Sequence, residues 1–326
     1  PEGGPASGSR AVKRSFSRSI ELQSRLHGVV PGGSHTYSKG DDQFPEFMPP
    51  LIERGRGCRV WDVDGNEYIE YGMGLRAVSL GHAWPAVNEA AARQMDLGII
   101  FARPALIELQ AAETFLELVP GAVLVKFAKN GSDVVSAAIR LARAHTGRDR
   151  IAICEDHPFF STDDWFLVNT PLNRGIPESQ AQLTVSFRYN DIGSIDALLD
   201  EYPGEIAAFL MEPEKNQPLD PGFMQALQQR CESQGALLIL DEMITGFRWH
   251  LGGAQTLYGV VPDLSTFGKA MGNGFSISAL AGKRELMELG GLEHEEARVF
   301  LLSTTHGAEG HALAAFMAVV DEYRKH

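Results

Sequence analysis

From about residue 105 onward, short runs of mostly apolar residues alternate with longer segments in which apolar residues recur at helical spacing. Runs that lack a polar residue at every second position are typical of strands buried on both faces of a sheet. Strands separated by helices favour a largely parallel sheet with helices packed on both faces. The clearest strands are predicted at VLVKFA (123–128), RIAIC (150–154), IAAFLMEP (206–213) and ALLILDE (236–242), and the clearest helices at 132–147 and 221–235. In such a sheet the ligand lies at the carboxyl ends of the strands, so the residues that end each strand are candidates for function.

The N-terminal part of the chain has a different pattern. Residues 11–27 have the spacing of an amphipathic helix, which VVPGGS breaks at Pro31. In CRVWDVDGNEYIEY, the Asp64-Gly65 pair joins two alternating runs, which is a strong signal for an antiparallel hairpin. We therefore expect a disordered leader at 1–10, an N-terminal segment at 11–70 that forms part of a small domain, a large domain at 71–305, and the start of a C-terminal part at 306–326.

Composition excludes several classes of protein. The formal net charge of -13 argues against a nucleic-acid partner, which would need a basic face. No apolar run approaches the roughly 20 residues that span a bilayer, so no membrane segment is expected. Cys58, Cys154 and Cys231 are widely spaced and form no CxxC motif, which predicts reduced thiols, no metal site and a cytoplasmic protein.

The segment FAKNGSDVV combines a strand end, a turn and the start of a helix. Gly131 allows a tight turn, and Ser132 and Asp133 are residue types that favour a helix N-terminus. Free backbone N–H groups at a helix start bind anions, so this turn is a candidate phosphate site. An ordinary capped turn between a strand and a helix would have the same sequence, and the segment alone does not separate the two.

Two further residues carry chemistry. Asp241 ends the apolar run ALLILDE and is open to three interpretations: a salt-bridged structural acid, a metal ligand, or the partner of a protonated ring nitrogen. Lys269, in STFGKAMGNG, is either a solvated loop residue or a desolvated amine that forms a Schiff base with a carbonyl. An anion site, a carboxylate for a cationic ring and an amine for an aldehyde are together what pyridoxal 5'-phosphate requires.

The segments NGSDVVSAAIRLARAHTGR, LLILDEMITGFR and PDLSTFGKAMGNGF resemble the signature segments of the class III pyridoxal-phosphate aminotransferases, in particular the glutamate-1-semialdehyde aminomutase-like branch. VVPGGS, VWDVDGNEYIEYGMG, LGHAWPAV, RYND and IAAFLMEP match in order, so the resemblance extends over about residues 20–320. It implies fold type I, the aspartate-aminotransferase-like fold: a mostly parallel seven-stranded sheet sandwiched by helices, with a small second domain.

The resemblance implies roles for individual residues. Lys269 resembles the Schiff-base lysine and Asp241 the partner of the ring nitrogen. The other implied cofactor contacts are Asn130, Gly131 and Ser132 at the phosphate (Ser132 where the family has Thr), Glu212 near the substrate side, Met243 on one face of the ring, and Thr305 at the phosphate of the partner subunit. The last contact implies a homodimer.

The chain departs from the family pattern in two places. The usual YHG segment, whose Tyr stacks on the ring, is replaced by HPFFSTDDWF. Phe159 aligns best with that Tyr and Phe160 is adjacent, and core packing is an equally good explanation for either ring. In addition, family members continue beyond AVVDEYRKH, so we expect the C-terminal part of the small domain to be missing.

The resemblance implies transamination between a small-molecule amine or amino acid and a keto or aldehyde acceptor. Lys269 would release the cofactor to the incoming amine and then move the proton at the substrate carbon. A pyridoxal-phosphate aminomutase or racemase would use the same residues, so both stay open. A truncated homologue that binds cofactor and dimerises without turnover is a third possibility.

Overall fold

The computed structural model describes residues 14–46, 48, 51–157, 159–214, 217–295 and 297–325. The leader predicted at 1–10 and the first residues of the predicted N-terminal helix lie outside these ranges. The chain divides into two compact units. One runs to Leu75 and includes Gly81–Ala83, and the other comprises Arg76–Leu80 and the chain from Trp84 onward.

In the described part of the first unit, one helix of 11 residues and short 3₁₀ turns accompany a three-stranded antiparallel sheet of order β1-β2-β3. The elements are α1 (Ser17–His27), β1 (Ile52–Arg56), β2 (Arg59–Asp62) and β3 (Glu67–Ile69). The hairpin between β2 and β3 forms where the Asp-Gly pair predicts it. Asp64 in its turn accepts the first backbone N–H groups of α1, from Arg18 at 2.9 Å and from Ser19 at 2.8 Å, which satisfies donors that a helix start leaves unpaired.

The described part of the second unit contains one seven-stranded sheet of order β4-β10-β9-β8-β7-β5-β6. Its strands are β4 (Leu124–Ala128), β5 (Arg150–Cys154), β6 (Thr184–Phe187), β7 (Ile206–Met211), β8 (Leu237–Asp241), β9 (Leu264–Phe267) and β10 (Ser278–Gly282). Only β10 is antiparallel, to both of its neighbours. The prediction of a mostly parallel, seven-stranded sheet is therefore confirmed.

Helices cover both faces of this sheet. In chain order the helices of this unit are α3 (Pro85–Leu97), α4 (Leu106–Leu118), α5 (Gly131–Thr146), α6 (Asp164–Leu167), α7 (Glu178–Ala181), α8 (Ile192–Glu201), α9 (Phe223–Gln234), α10 (Ala254–Tyr258), α11 (Arg284–Met287) and α12 (Gly310–Lys325), and α2 (Met73–Arg76) crosses the boundary between the two units. Every residue of β7, β8, β9 and β10 is buried. A carboxylate at the end of one of these strands is consequently shielded from water, which is costly unless the charge has partners.

Within the described residues, every helix is too short or too polar to cross a lipid bilayer.

Candidate active site

The carboxyl ends of β7 and β8 bring two acids to one edge of the sheet. These strands pair in parallel with Met211 opposite Leu240, so Glu212 and Asp241 follow paired positions. Each side chain is only 3% exposed. Asp241 Oδ1 accepts hydrogen bonds from the backbone N–H of Met243 at 2.9 Å and from the hydroxyl of Thr266 at 3.2 Å. Two buried acids so placed repel each other when both are charged.

Burial, followed by the charge of Glu212, raises the pKa of Asp241 to about 7, and the nearby charge of Lys269 opposes that rise. Strands β8 and β9 pair in parallel with Asp241 opposite Thr266, three residues before Lys269, so the lysine follows the strand beside the acid. A cation beside Asp241 stabilises the ionised carboxylate, and the protonated nitrogen of a pyridine ring is such a cation.

Lys269 occupies a strained turn directly after β9. Its φ of 47° lies in the left-handed region, which a side chain with a Cβ rarely adopts. The turn around it is fixed by a hydrogen bond from the Met271 N–H to the Gly268 carbonyl at 3.1 Å and by one from the Leu80 N–H to the Asn273 side chain at 2.9 Å. Strain of this kind clusters at functional sites, where the surrounding structure holds it in place.

Met243 is the point at which three elements of the site meet. A Cβ at Gly131, the first residue of α5, would lie 3.2 Å from the Met243 sulfur. A Cβ at Gly268, which precedes Lys269, would lie 2.7 Å from the same atom, closer than real Cβ contacts occur. Glycine at these two positions therefore lets the helix start and the lysine turn approach the end of β8, where Met243 is 6% exposed.

The predicted anion site lies at the start of α5, a helix of 16 residues. The backbone N–H of Asn130 donates to the Asp133 carboxylate at 3.3 Å, and the Asn130 carbonyl accepts from the Ser278 hydroxyl at 2.8 Å. The Ser132 hydroxyl accepts from the Thr162 N–H at 3.1 Å. The turn is thus fixed from both sides, with the positive end of the helix dipole toward the site.

The structure separates the two phenylalanines that the sequence left ambiguous. Phe160 is 2% exposed and packs edge-on against Phe166, with ring centroids 5.8 Å apart. Phe159 is 52% exposed and touches Phe166 only from the side, at 5.7 Å. Phe160 is thus a core residue, as the core-packing interpretation predicts. Phe159 has a solvent-exposed ring.

Thr305 is exposed and lies in a tight turn that a hydrogen bond from the Gly307 N–H to the Thr304 carbonyl closes at 3.2 Å. A Cβ at Gly307 would lie 3.6 Å from the carbonyl oxygen of Phe127, so this turn sits beside the end of β4.

His157 belongs to the site although sequence reasoning overlooked it. It is 4% exposed, and its Nδ1 accepts from the backbone N–H of Glu212 at 3.0 Å. Its ring lies 5.4 Å from that of Tyr189. The imidazole therefore fixes the backbone that carries Glu212. The available signal was its position three residues after β5, the same kind of strand end that drew attention to Asp241.

The arrangement fits a phosphorylated pyridine aldehyde better than a metal ion. No group of three His, Cys, Asp or Glu side chains in the described ranges is arranged to hold a metal. The site instead has an amine that can react with an aldehyde and a buried carboxylate that can pair with a ring nitrogen. The apolar side chain of Met243 can contact a ring face, and the start of a helix can bind a phosphate.

Fold and site together define fold type I of the pyridoxal-phosphate enzymes. A family model described as "Aminotransferase class-III" matches residues 39–325, and the chain belongs to that family.

The chain is 38% identical over 291 residues to the glutamate-1-semialdehyde 2,1-aminomutase of Chloroflexus aurantiacus, an alignment that covers 85% of this chain and 65% of that protein. The chain thus spans somewhat less than two thirds of the length of this relative.

Two solved structures are similar over most of the chain. The FumI protein of Sphingopyxis sp. MTA144, in a pyridoxal-phosphate internal aldimine form, has a TM-score of 0.86 and 30% identity and covers 95% of this chain and 73% of its own. An omega-transaminase of Sphaerobacter thermophilus has a TM-score of 0.86 and 31% identity, with coverage of 93% and 72%.

Proposed function

We propose that the chain binds pyridoxal 5'-phosphate and acts in an aminotransferase that moves an amino group between an amine or amino acid and a keto or aldehyde acceptor. The observation that carries the proposal is the register of the neighbouring strands β8 and β9, which pairs Asp241 with Thr266, three residues before Lys269. The charge of Lys269 also acts to lower the pKa of Asp241. Membership of the class III family and the similarity to a transaminase support it.

The bound cofactor supplies an aldehyde for exchange of amines and a protonated ring that accepts an electron pair. The amine of Lys269 would hold the cofactor through its aldehyde and, once an incoming amine had released it, would move a proton at the substrate carbon. Asp241 holds the proton on the ring nitrogen, because a buried carboxylate gains most from a cation directly beside it. His157 keeps the strand end of Glu212 in place beside that pair.

The remaining residues orient the cofactor. Gly131 and Ser132, with the N-cap Asn130, receive the phosphate at the start of α5. Met243, which packs against Gly131 and Gly268, would contact one face of the ring, and Phe159, which is 52% exposed, would cover the other. The exposed Thr305 reaches the phosphate of the partner subunit, so the active enzyme is a homodimer. The three cysteines are free thiols, which suits a cytoplasmic protein.

The similarity to the Chloroflexus protein favours a second candidate, an intramolecular aminomutase. The two functions differ in their need for an acceptor. A transaminase that has converted its cofactor to the amine form stops until a keto or aldehyde compound is added, whereas a mutase continues on one substrate.

The test combines spectroscopy and product analysis. Purified protein is loaded with pyridoxal phosphate, its visible absorbance is recorded, and a panel of amines is added without and then with a keto acid. We expect loss of the visible band with an amine and its return with the acceptor. A protein that shows no visible band after loading would refute the proposal, and turnover without an acceptor would favour the aminomutase.

A further inference from the structure

Lys129 stands immediately before the turn at Asn130–Ser132 that is proposed to hold the phosphate. A lysine at this position could bind the phosphate directly through its ammonium group. In the structure that group instead forms an ion pair: Lys129 Nζ lies 2.5 Å from Oε2 of Glu309, a residue 180 positions further along the chain.

Glu309 is buried and held from several directions. Its side chain is 10% exposed, and its second oxygen accepts from His306 Nδ1 at 2.8 Å. Burial acts to raise the pKa of this carboxyl, but its hydrogen bonds to Lys129 and His306 outweigh burial and lower the pKa. The backbone carbonyl of Glu309 also accepts the N–H groups of Ala312 and Leu313 in the first turn of α12, at 3.0 and 3.1 Å. Glu309 is therefore an ionised acid fixed at a helix start.

The ion pair joins two short turns. One is the phosphate turn, whose carbonyl at Lys129 also accepts from the Ser276 hydroxyl at 3.0 Å. The other is the turn at 304–307 that carries Thr305, which ends two residues before Glu309. A half-buried pair between groups far apart in the sequence fixes the position of both turns, because breaking it leaves a largely buried charge with fewer partners.

We propose that Lys129 and Glu309 are positioning residues that hold the phosphate turn and the Thr305 turn in register and so set the affinity for the cofactor's phosphate. The proposal rests on the proposed function, since it concerns the same cofactor. It assigns Lys129 a role through Glu309 and not as a phosphate ligand. Since Thr305 is proposed to reach the partner's phosphate, the pair connects the chain's own site to the one it completes.

The test measures dissociation constants of the cofactor-free protein for pyridoxal phosphate and for pyridoxal, which carries the aldehyde but no phosphate. The variants are Lys129→Met, Glu309→Gln and the double variant. We expect each single change to weaken binding of pyridoxal phosphate about tenfold or more, as loss of an orienting partner does at metal sites. The double variant should bind no more weakly than the worse single variant, because both changes remove one interaction. Binding of pyridoxal should stay within about twofold of the wild type, the scatter of independent sites.

Two controls accompany the test. Lys283→Met breaks a similar lysine–carboxylate pair, with Asp263 at 2.6 Å, at the opposite end of β10, and should leave both dissociation constants unchanged. Lys129→Arg keeps a cation opposite Glu309 and should restore binding of pyridoxal phosphate. If the methionine variant does not fold, Glu309→Gln still tests the proposal, because it removes the charge of the other member of the pair.

Different failures point to different conclusions. If Lys129→Met weakens binding while Glu309→Gln leaves it unchanged or tightens it, Lys129 is a direct phosphate ligand and the proposal is wrong. Equal losses for pyridoxal and pyridoxal phosphate would mean that the pair only supports the fold, which also overturns it. If the wild-type protein binds pyridoxal phosphate no better than pyridoxal, the phosphate makes no contribution to binding, and the proposed phosphate site is itself wrong.

Discussion

Met243 and Gly268 are packed so closely that a Cβ on the glycine would lie 2.7 Å from the methionine sulfur. This contact connects the end of β8, which carries Asp241, to the turn that carries Lys269. The absence of a side chain at position 268 therefore lets the turn that carries Lys269 approach the end of β8 that carries Asp241.

Gly268→Ala should weaken cofactor binding and lower the free energy of unfolding by about 1–3 kcal/mol, the usual cost of overpacking a closed site. The measurement is a cofactor titration combined with urea unfolding. Gly72→Ala is the matched control, because a Cβ there would meet only a carboxylate oxygen of Glu70 at 3.9 Å. Met243→Ala in the Gly268→Ala background should recover part of the loss. If Gly268→Ala binds cofactor as the wild type does, the close contact with Met243 has no role in shaping the site.

Lys269→Ala should abolish the visible absorbance of the lysine-bound cofactor and lower turnover by at least the 10²–10⁴-fold typical of a general acid–base group. The reason is that no other residue assigned to the site carries an amine for the aldehyde. Absorbance spectra of the loaded protein and a coupled assay measure both effects. Lys283→Ala, which removes a lysine paired with Asp263, should keep the absorbance band. Retained turnover in Lys269→Ala would show that another group moves the proton.

The ends of the buried strands can be predicted from the sequence because they depend on residues that are neighbours along the chain. A buried parallel strand must be apolar, and the residue at its carboxyl end lies at the edge of the sheet where ligands bind, so Asp241 could be selected from the sequence alone. Glu212 is implied by the resemblance to the class III aminotransferases. The position of His157 after β5 makes it a candidate by the same argument, but its role could not be derived from the sequence, since it depends on a hydrogen bond to a backbone group 55 residues away. The pairing of Lys129 with Glu309 spans 180 residues and has no periodic signal at all.

The choice between Phe159 and Phe160 shows a second limit of sequence reasoning. The segment after β5 is a loop, so neither a helical nor a strand period indicates which ring faces inward. Only the tertiary contacts of Phe166 and its neighbours decide it.

The two phenylalanines should respond differently to truncation. Phe160→Ala should lower the free energy of unfolding by about 3–5 kcal/mol, the usual cost of removing a fully buried aromatic ring. Phe159→Ala should change stability little but weaken cofactor binding, because its exposed ring is the one available for stacking. Chemical denaturation of the cofactor-free protein and a cofactor titration separate the two effects. Each variant serves as the control for the other, and a loss of stability in Phe159→Ala with unchanged cofactor affinity would contradict the assignment.

The pH dependence of stability in the cofactor-free protein should report the burial of Asp241. Its pKa is raised to about 7 in the folded chain, mainly by burial and then by the charge of Glu212, whereas an unfolded aspartate has a pKa of about 3.9. Between these two values the folded protein holds a proton that the unfolded chain has released. Its contribution to stability is thus fully present below about pH 4 and is lost as the pH rises to about 7.

Asp241→Asn should remove this decline, because asparagine has no proton to lose over the same range and keeps a carbonyl oxygen that can accept from Met243 and Thr266. The measurement is urea unfolding of wild type and variant at several pH values between 4.5 and 7.5. The variant should gain stability relative to the wild type as the pH rises, by up to about 1.4 kcal/mol per pH unit at the steepest point. Glu242 is buried in both proteins and its effect cancels in the difference. Parallel curves for the two proteins would mean that Asp241 is already ionised in the empty site, held there by the charge of Lys269.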